Sequence, residues 1–432
     1  MFRCFLSVIG ATFALGVNAQ SALSLPDAVR LAQENDVWLQ GNVLQQSAIE
    51  SRAIAAGSLP DPTVAVSVMN LPTDSFDFDQ EAMTQLKVGV SQMLPRGDSR
   101  ALQQQRLTTD AQRFPLMRDD RRAKVRATVS QLWLDAYAAQ QTLNLIEQDK
   151  TLFEQLVDVS RASYASASGK ARQQDIIRAQ LELLQLQDRL TVQRQRLETV
   201  LAQLTEWLPN PVERVDATLP TTKAAASDWM SMSTDRVLAQ LQQHPSVLAI
   251  DVRHQVAQTD IDLARQQFKP QWGVNASYAV RDDSPQGMQR ADFFSVGVTF
   301  DVPLFTDNRQ DPQLAASVAS AEAVKTDKRL LLRQLLSAVQ KEQRQLASLQ
   351  QRRQLYAQQL IVQVHEQAEA ALTAYTNDDG DFAEVVRARI AELNTKVAAL
   401  QIAVDERKAM ARLMYLLFPH SQSLTGHTGD PS

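Results

Sequence analysis

Two short patterns carry opposite charges at helical spacing. Asp175-Ile176-Ile177-Arg178-Ala179 and Glu384-Val385-Val386-Arg387-Ala388 both read acidic, apolar, apolar, arginine, alanine. A carboxylate and a guanidinium three residues apart share one helix face, where an exposed pair contributes about 0.2–0.5 kcal/mol. Each pattern follows a glycine. Gly169-Lys170 and Gly380-Asp381 mark turns, and Asp378, Asp379 and Asp381 make the second turn acidic. Metal chemistry has less support. The five histidines (His244, His254, His365, His420 and His427) include no i,i+4 pair, and neither HExxH nor EF-hand spacing occurs. Met69, Met83 and Met93 could offer soft ligands to Cu(I), but packing within hairpins accounts for them better. There is no GxSxG, no P-loop, no GxGxxG with an acidic partner and no Cys/His arrangement. No catalytic site, cofactor site or metal site is expected.

The elements that position these patterns come from an internal repeat. Val88-Gly89-Val90-Ser91-Gln92-Met93-Leu94-Pro95 matches Val296-Gly297-Val298-Thr299-Phe300-Asp301-Val302-Pro303, at a constant offset of 208 (296 − 88). Asn35–Leu39 against His244–Leu248, and Tyr164…Gly169…Asp175 against Tyr375…Gly380…Glu384, repeat at nearly the same offset. The chain reads as two copies of helix, strand, strand, long helix, turn, helix. The first copy spans 20–208, with strands at about 62–70 and 84–93 and a tip near 165–174. A linker at 209–232 follows. The second copy spans 233–418, with strands at about 271–281 and 293–303 and a tip near 376–382. A flexible tail, 419–432, closes the chain.

In the strands, apolar and polar residues alternate with period 2: Val64, Val66 and Val68; Leu86, Val88 and Val90; Trp272, Val274, Ala276, Tyr278 and Val280; Val296, Val298 and Phe300. One face therefore meets an apolar environment and the other water. Runs of this length suit tilted transmembrane strands. Ordinary half-buried hairpins would show the same alternation. The helices are long. From Asp98 to Tyr164 there is no Gly and only one Pro, Pro115, which amounts to about 100 Å of helix, bent or broken near its start by that proline. Leu132, Ala136, Ala139, Leu143, Ile146, Phe153, Val157 and Tyr164 step by threes and fours with breaks at Lys150 and Ser160, as do Leu332, Leu335, Val339, Leu346, Leu349, Tyr356 and Leu360 with breaks at Glu342 and Arg353. That is a coiled-coil seam. Single helices at about 27–58 and 234–268 supply the missing half beside the shorter returning helices.

Composition sets the outer limits. The 432 residues include 50 glutamines, suited to long helices with wet faces. No internal run approaches the ~20 apolar residues of a helical membrane span. Lys plus Arg total 44 and Asp plus Glu 49, a net charge of −5, which argues against a nucleic-acid partner. Residues 1–19 read as a secretory signal peptide. Arg3 supplies the basic start, Phe5–Val17 the apolar stretch, and Val17-Asn18-Ala19 the small-residue cleavage pattern. Cleavage after Ala19 removes Cys4, the only cysteine, and leaves a net charge of −6 (43 − 49).

Four strands cannot close a membrane barrel, and an open sheet edge cannot face lipid. Membrane-spanning strands would therefore require oligomerisation, and three copies give twelve strands. With that repeat order, strand placement and length, the whole mature chain resembles the TolC-type outer membrane factor family. Leu59-Pro60-Asp61-Pro62, Met69-Asn70-Leu71-Pro72, Met83-Thr84 and Ser91-Gln92-Met93-Leu94-Pro95 are similar to its heavy-metal efflux branch. The resemblance implies a mainly α fold with transmembrane β: a homotrimer with a 12-stranded β-barrel in outer membrane lipid and a long α-helical coiled-coil tunnel in the periplasm. It implies passive conduction of substrate, heavy-metal cations in that branch, from an inner-membrane RND-type pump through a periplasmic adaptor. It also implies that Gly169, Lys170, Gly380 and Asp381 lie in the adaptor-contact tips. Asp175 and Glu384 take the place of acidic gate residues, with Arg178 and Arg387 beside them where some relatives carry a second acid. Three acids at a constriction would repel one another and attract cations, and the arginines would relieve that. Two other cargo classes fit the same fold, secreted protein (type I) and organic compounds. A soluble periplasmic coiled-coil scaffold is the rival from another class.

Overall fold

In the computed structural model, residues 22–165, 173–220, 228–377 and 379–418 are described. Ten helices and four strands account for most of them. In chain order these are α1 (Leu25–Glu34), α2 (Val37–Ala56), β1 (Thr63–Met69), β2 (Gln85–Leu94), α3 (Ser99–Ala111), α4 (Arg113–Ala165) and α5 (Gln173–Thr205), followed by α6 (Thr234–Gln242), α7 (Pro245–Gln266), β3 (Trp272–Val280), β4 (Phe293–Phe300), α8 (Gln310–Leu355), α9 (Ile361–Thr376) and α10 (Phe382–Leu417). A π-helical turn, Tyr356–Leu360, joins α8 to α9.

The proline and capping residues decide where helices stop. Pro115 lies in the first turn of α4, where its missing N–H costs nothing, and the break from α3 falls at Gln112. The single helices expected at 27–58 and 234–268 are each broken in two. Asp36 caps α2 through the Trp38 N–H (3.1 Å). His244 caps α7, with Pro245 as the first helical residue. The His244 ring is fully buried. Its Nδ1 accepts from the Ser246 N–H at 3.3 Å, so the proton sits on Nε2, which donates to the Tyr415 carbonyl at 3.2 Å. Burial pushes this imidazole below its usual pKa, which keeps it neutral.

The chain divides into two compact units. One holds the described residues of Asp36–Lys124, Met232–Lys341 and Met414–Ser432. Its four strands form one antiparallel sheet in the order β1-β2-β3-β4. Register decides what each face carries. Val64, Val90, Ala276 and Val296 form one row across the sheet, as do Val66, Val88, Tyr278 and Phe294. The other face holds Ala65, Gly89, Ser277 and Ser295 in one row, and Ser91, Asn275 and Gly297 in the next. All four strands thus turn their apolar side the same way, and those side chains are exposed in the single chain. On the polar face the strand glycines sit close to neighbours. A Cβ on Gly273 would come within 2.6 Å of Thr299 Oγ1, and one on Gly297 within 2.8 Å of Asn275 Oδ1.

Below the sheet, Arg96 gathers the strand ends. It donates to the Lys269 carbonyl at 2.8 Å and pairs with the Asp301 carboxylate, which also accepts from the Gln271 N–H at 2.7 Å. Adjacent helices are tied by Arg106–Asp260 between α3 and α7 (2.5 Å) and Lys328–Asp251 between α8 and α7 (2.6 Å).

The other unit holds the described residues of Met1–Asn35, Val125–Ser231 and Glu342–Leu413. Of the seam read from α4, Ala136 is part of its core and Leu132 is half-buried against it. Val129 and Trp133, which that seam passed over, are buried there with Leu204 of α5, Val404 of α10, Ala28 and Ala32 of α1, and Val215. Trp133 Nε1 donates to the Leu23 carbonyl (2.8 Å). Gln140 pairs with Val215 through both its amide groups, at 2.9 and 3.1 Å.

The two sheet faces make a direct test. Val296→Lys, on the apolar face, is expected to weaken membrane assembly by about 2–4 kcal/mol. Ser295→Lys, one residue away on the polar face, is expected to leave it nearly unchanged. Urea-dependent refolding into lipid vesicles measures both.

Candidate functional site

The second turn is built by local fit. Between α9 and α10 the chain reverses, with the Asp379 N–H on the Ala374 carbonyl at 2.9 Å. Gly380 is required there, because a Cβ would come within 2.7 Å of the Tyr375 backbone nitrogen. Tyr375 and Phe382 clasp the turn edge to face, with ring centroids 5.4 Å apart. Asp381 starts α10 by accepting from the Ala383 N–H at 3.2 Å. Only Asp381, Glu384 and Arg387 are exposed in that first stretch, while Phe382, Ala383, Val385, Val386 and Ala388 are buried. Glu384 and Arg387 form an ion pair at 3.1 Å.

The first turn differs. Gly169 and Lys170 lie outside the described residues. Asp175 is buried at the start of α5, whereas Arg178 is exposed. Its sequence counterpart Glu384 is exposed, so the repeat is not copied in burial. Ile177 is also exposed, whereas its counterpart Val386 is buried. One core joins these helices: Ile146, Phe153 and Val157 of α4, Ala179, Leu186 and Leu190 of α5, and Phe382, Val385 and Leu393 of α10.

A cluster of charges sits above the second turn. Glu392 is nearly fully buried and accepts from His365 Nδ1 (2.8 Å), Arg389 Nη1 (2.9 Å) and Lys396 Nζ (2.9 Å). Arg389 also pairs with Glu369 at 2.7 Å. Burial alone would raise the Glu392 carboxyl. Hydrogen bonds from Lys396, His365 and Arg389 outweigh it and hold the pKa at about 2. Asp149 of α4 faces the same group, and burial pushes its carboxyl up. Further along α10, Glu406 pairs with Arg353 (3.2 Å) and Lys408 with Asp135 (2.5 Å). The signal for these pairs was present in the sequence. Arg389, Glu392 and Lys396 share a helix face, as do His365 and Glu369. Among the described residues no group of three His, Cys, Asp or Glu could hold a metal.

No family model matches the chain. No curated protein matches it. Solved structures do. A membrane protein from Pseudomonas aeruginosa aligns over 91% of this chain and 90% of its own at 15% identity, with a TM-score of 0.76. The outer-membrane channel OprN aligns over 91% and 89% at 14% identity, with a TM-score of 0.75. The outer membrane protein VceC of Vibrio cholerae aligns over 91% and 95% at 13% identity, with a TM-score of 0.74. The chain has the fold of the TolC-type outer membrane channels. That fold combines long helices with a four-stranded antiparallel sheet of the kind described above. At 13–15% identity the likeness carries the fold, so cargo has to be argued from this chain's own residues.

The Glu392 cluster gives a signed pH dependence. A carboxyl held at about 2 in the fold and near 4.5 unfolded adds stability above pH 4.5, lost as pH falls towards 2. Glu392→Gln is expected to cost about 3 kcal/mol at neutral pH, because it removes the buried negative charge that Lys396, His365 and Arg389 share and leaves Arg389 with Glu369 alone. It is also expected to flatten the acid limb of a thermal-melting series between those pH values.

Proposed function

We propose that three copies of this chain form an outer membrane efflux duct that passes cargo passively to the exterior. The carrying observation is the sheet. All its valines lie on one face, and its edge strands, β1 and β4, have unpaired backbone groups along their outer sides. In lipid those groups need partners, and pairing β1 of one copy with β4 of the next supplies them. Three copies make a closed ring of twelve strands, within the range of known barrels. Outer membrane lipid would then meet Val66, Val88, Val274 and Val298. The polar face would line the bore.

In this reading the helical turns face the periplasm, where an adaptor docks and an inner-membrane RND-type pump delivers cargo. Gly380 and Asp381 belong to that contact surface, together with Gly169 and Lys170. Glu384 and Arg387, with Asp175 and Arg178, guard the entrance. The 3.1 Å pair between Glu384 and Arg387 supports a closure held by ion pairs. Heavy-metal cations are the cargo favoured by the motifs around Pro60–Pro62, Pro72 and Pro95.

Fractionation tests the duct. The protein is expected in the outer membrane, released only by detergent, and as a trimer on a semi-native gel. Recovery from the soluble periplasm would overturn the reading. The entrance is tested by conductance. Arg178→Ser with Arg387→Ser is expected to raise single-channel conductance of the reconstituted trimer severalfold. An unchanged value would remove these arginines from the closure. Sensitivity of a deletion strain across Cu, Ag, Zn, Co and Cd tests the cargo.

A further inference from the structure

Lys87 stands alone in the sheet. No other residue of the four strands is charged. It lies on the polar face, in a row with Ser67, Ala279 and Phe293. On β2 that face is the more covered one. Gln85, Lys87, Gly89 and Ser91 are half-buried, while Leu86, Val88 and Val90 are exposed. This is how the concave side of a curved sheet presents itself. Among the described residues no carboxylate forms an ion pair with Lys87.

The neighbouring charges are otherwise engaged. Arg281, just past β3 on the same face, donates to the carbonyls of Ala82 (3.2 Å) and Ala291 (2.9 Å) and lies 4.0 Å over the Phe293 ring. Arg290 donates to the carbonyls of Asp79 (3.1 Å) and Glu81 (3.3 Å). Asp292 is bonded to the Tyr278 hydroxyl (2.5 Å) and the Arg281 N–H (3.2 Å). The remaining loop acids, Asp74, Asp77, Asp79, Glu81, Asp282 and Asp283, lie beyond the strand ends.

We infer that Lys87, repeated around the closed barrel, forms a positive collar that concentrates negatively charged solutes in the bore and disfavours bare cations. This rests on the trimeric barrel proposed above. A lysine ammonium is a hydrated point charge on a flexible stem, suited to a wet bore and costly against lipid. Rings of like charge rank permeant ions by sign. The cargo class that fits the collar is anionic. A metal would pass it more readily as a negatively charged complex than as a free divalent ion.

The test uses the chain's cysteine economy. Its only cysteine is Cys4, so Ser67→Cys, directly across from Lys87, places a reporter in the bore once Cys4 is replaced or removed. Intact cells carrying this full-length reporter, with Lys87, Lys87→Gln or Lys87→Glu, are treated with membrane-impermeant thiol reagents of either charge. The trimer is then purified and its labelling measured. The ratio of anionic to cationic labelling rates is expected to fall about fivefold in Lys87→Gln, and further in Lys87→Glu. Equal ratios in all three, with trimer formed and the thiol reached, would overturn the collar and leave the duct standing. A thiol that no reagent reaches, or a chain that makes no trimer, would overturn the barrel reading and the collar with it.

Discussion

Every backbone N–H and C=O needs a partner, and a membrane offers none. That constraint organises the strand-bearing half of this chain. The sheet satisfies its three internal seams from β1 to β4 and leaves two outer seams that a single copy cannot satisfy. A larger sheet from one chain would have met the same need. Here a duplicated hairpin gives four strands, and in the proposed duct the remaining partners come from other copies. Valine rows on one face and the glycine and serine rows of the other follow from the same circumstance. In the proposed duct one face meets hydrocarbon and the other a water-filled space.

The helical half obeys a different economy. Apolar burial is broad on α4, where Trp133, Leu134, Ala136, Tyr137, Ala138 and Ala139 are all buried, and narrow on α5, at Ala179, Leu186 and Leu190. Buried charge fills part of the rest. Glu392 with its three donors, Glu406 with Arg353, and Asp135 with Lys408 tie α10 to its neighbours through directional contacts. Such pairs add little net stability over apolar packing, but removing one partner leaves the other stranded. They therefore specify which helix face meets which, a stronger demand on long parallel rods than on a compact core.

How much of this was readable depended on periodicity. The strands were legible because alternation with period 2 has one meaning on a two-faced sheet, and Val88 and Val296 repeat it 208 residues apart (296 − 88). The seam of α4 was legible for the same reason. The breaks at Asp36 and His244 interrupt an otherwise continuous helical pattern, and their signals are single residues, Asp36 as a preferred N-cap and Pro245 as a first helical residue. Burial of Asp175 against exposure of Glu384 was hidden. Identical patterns in the two repeats met different neighbours, and sequence symmetry does not report that. The charge cluster was half visible. Its i,i+3 and i,i+4 spacing could be read, but the pairing of His365 on α9 with Glu392 on α10 depends on how two helices meet.

The glycines of the polar face extend the argument. Gly273 and Gly297 each lie where an added carbon would strike Thr299 or Asn275. Crowding on the inner surface of a curved sheet grows as its radius shrinks, so residue size there and the number of strands in the ring are coupled. Bulkier inner rows would call for a wider ring and therefore more strands. The bore diameter of such an assembly is thus written partly in the absence of side chains, at two positions where nothing is present to contact cargo.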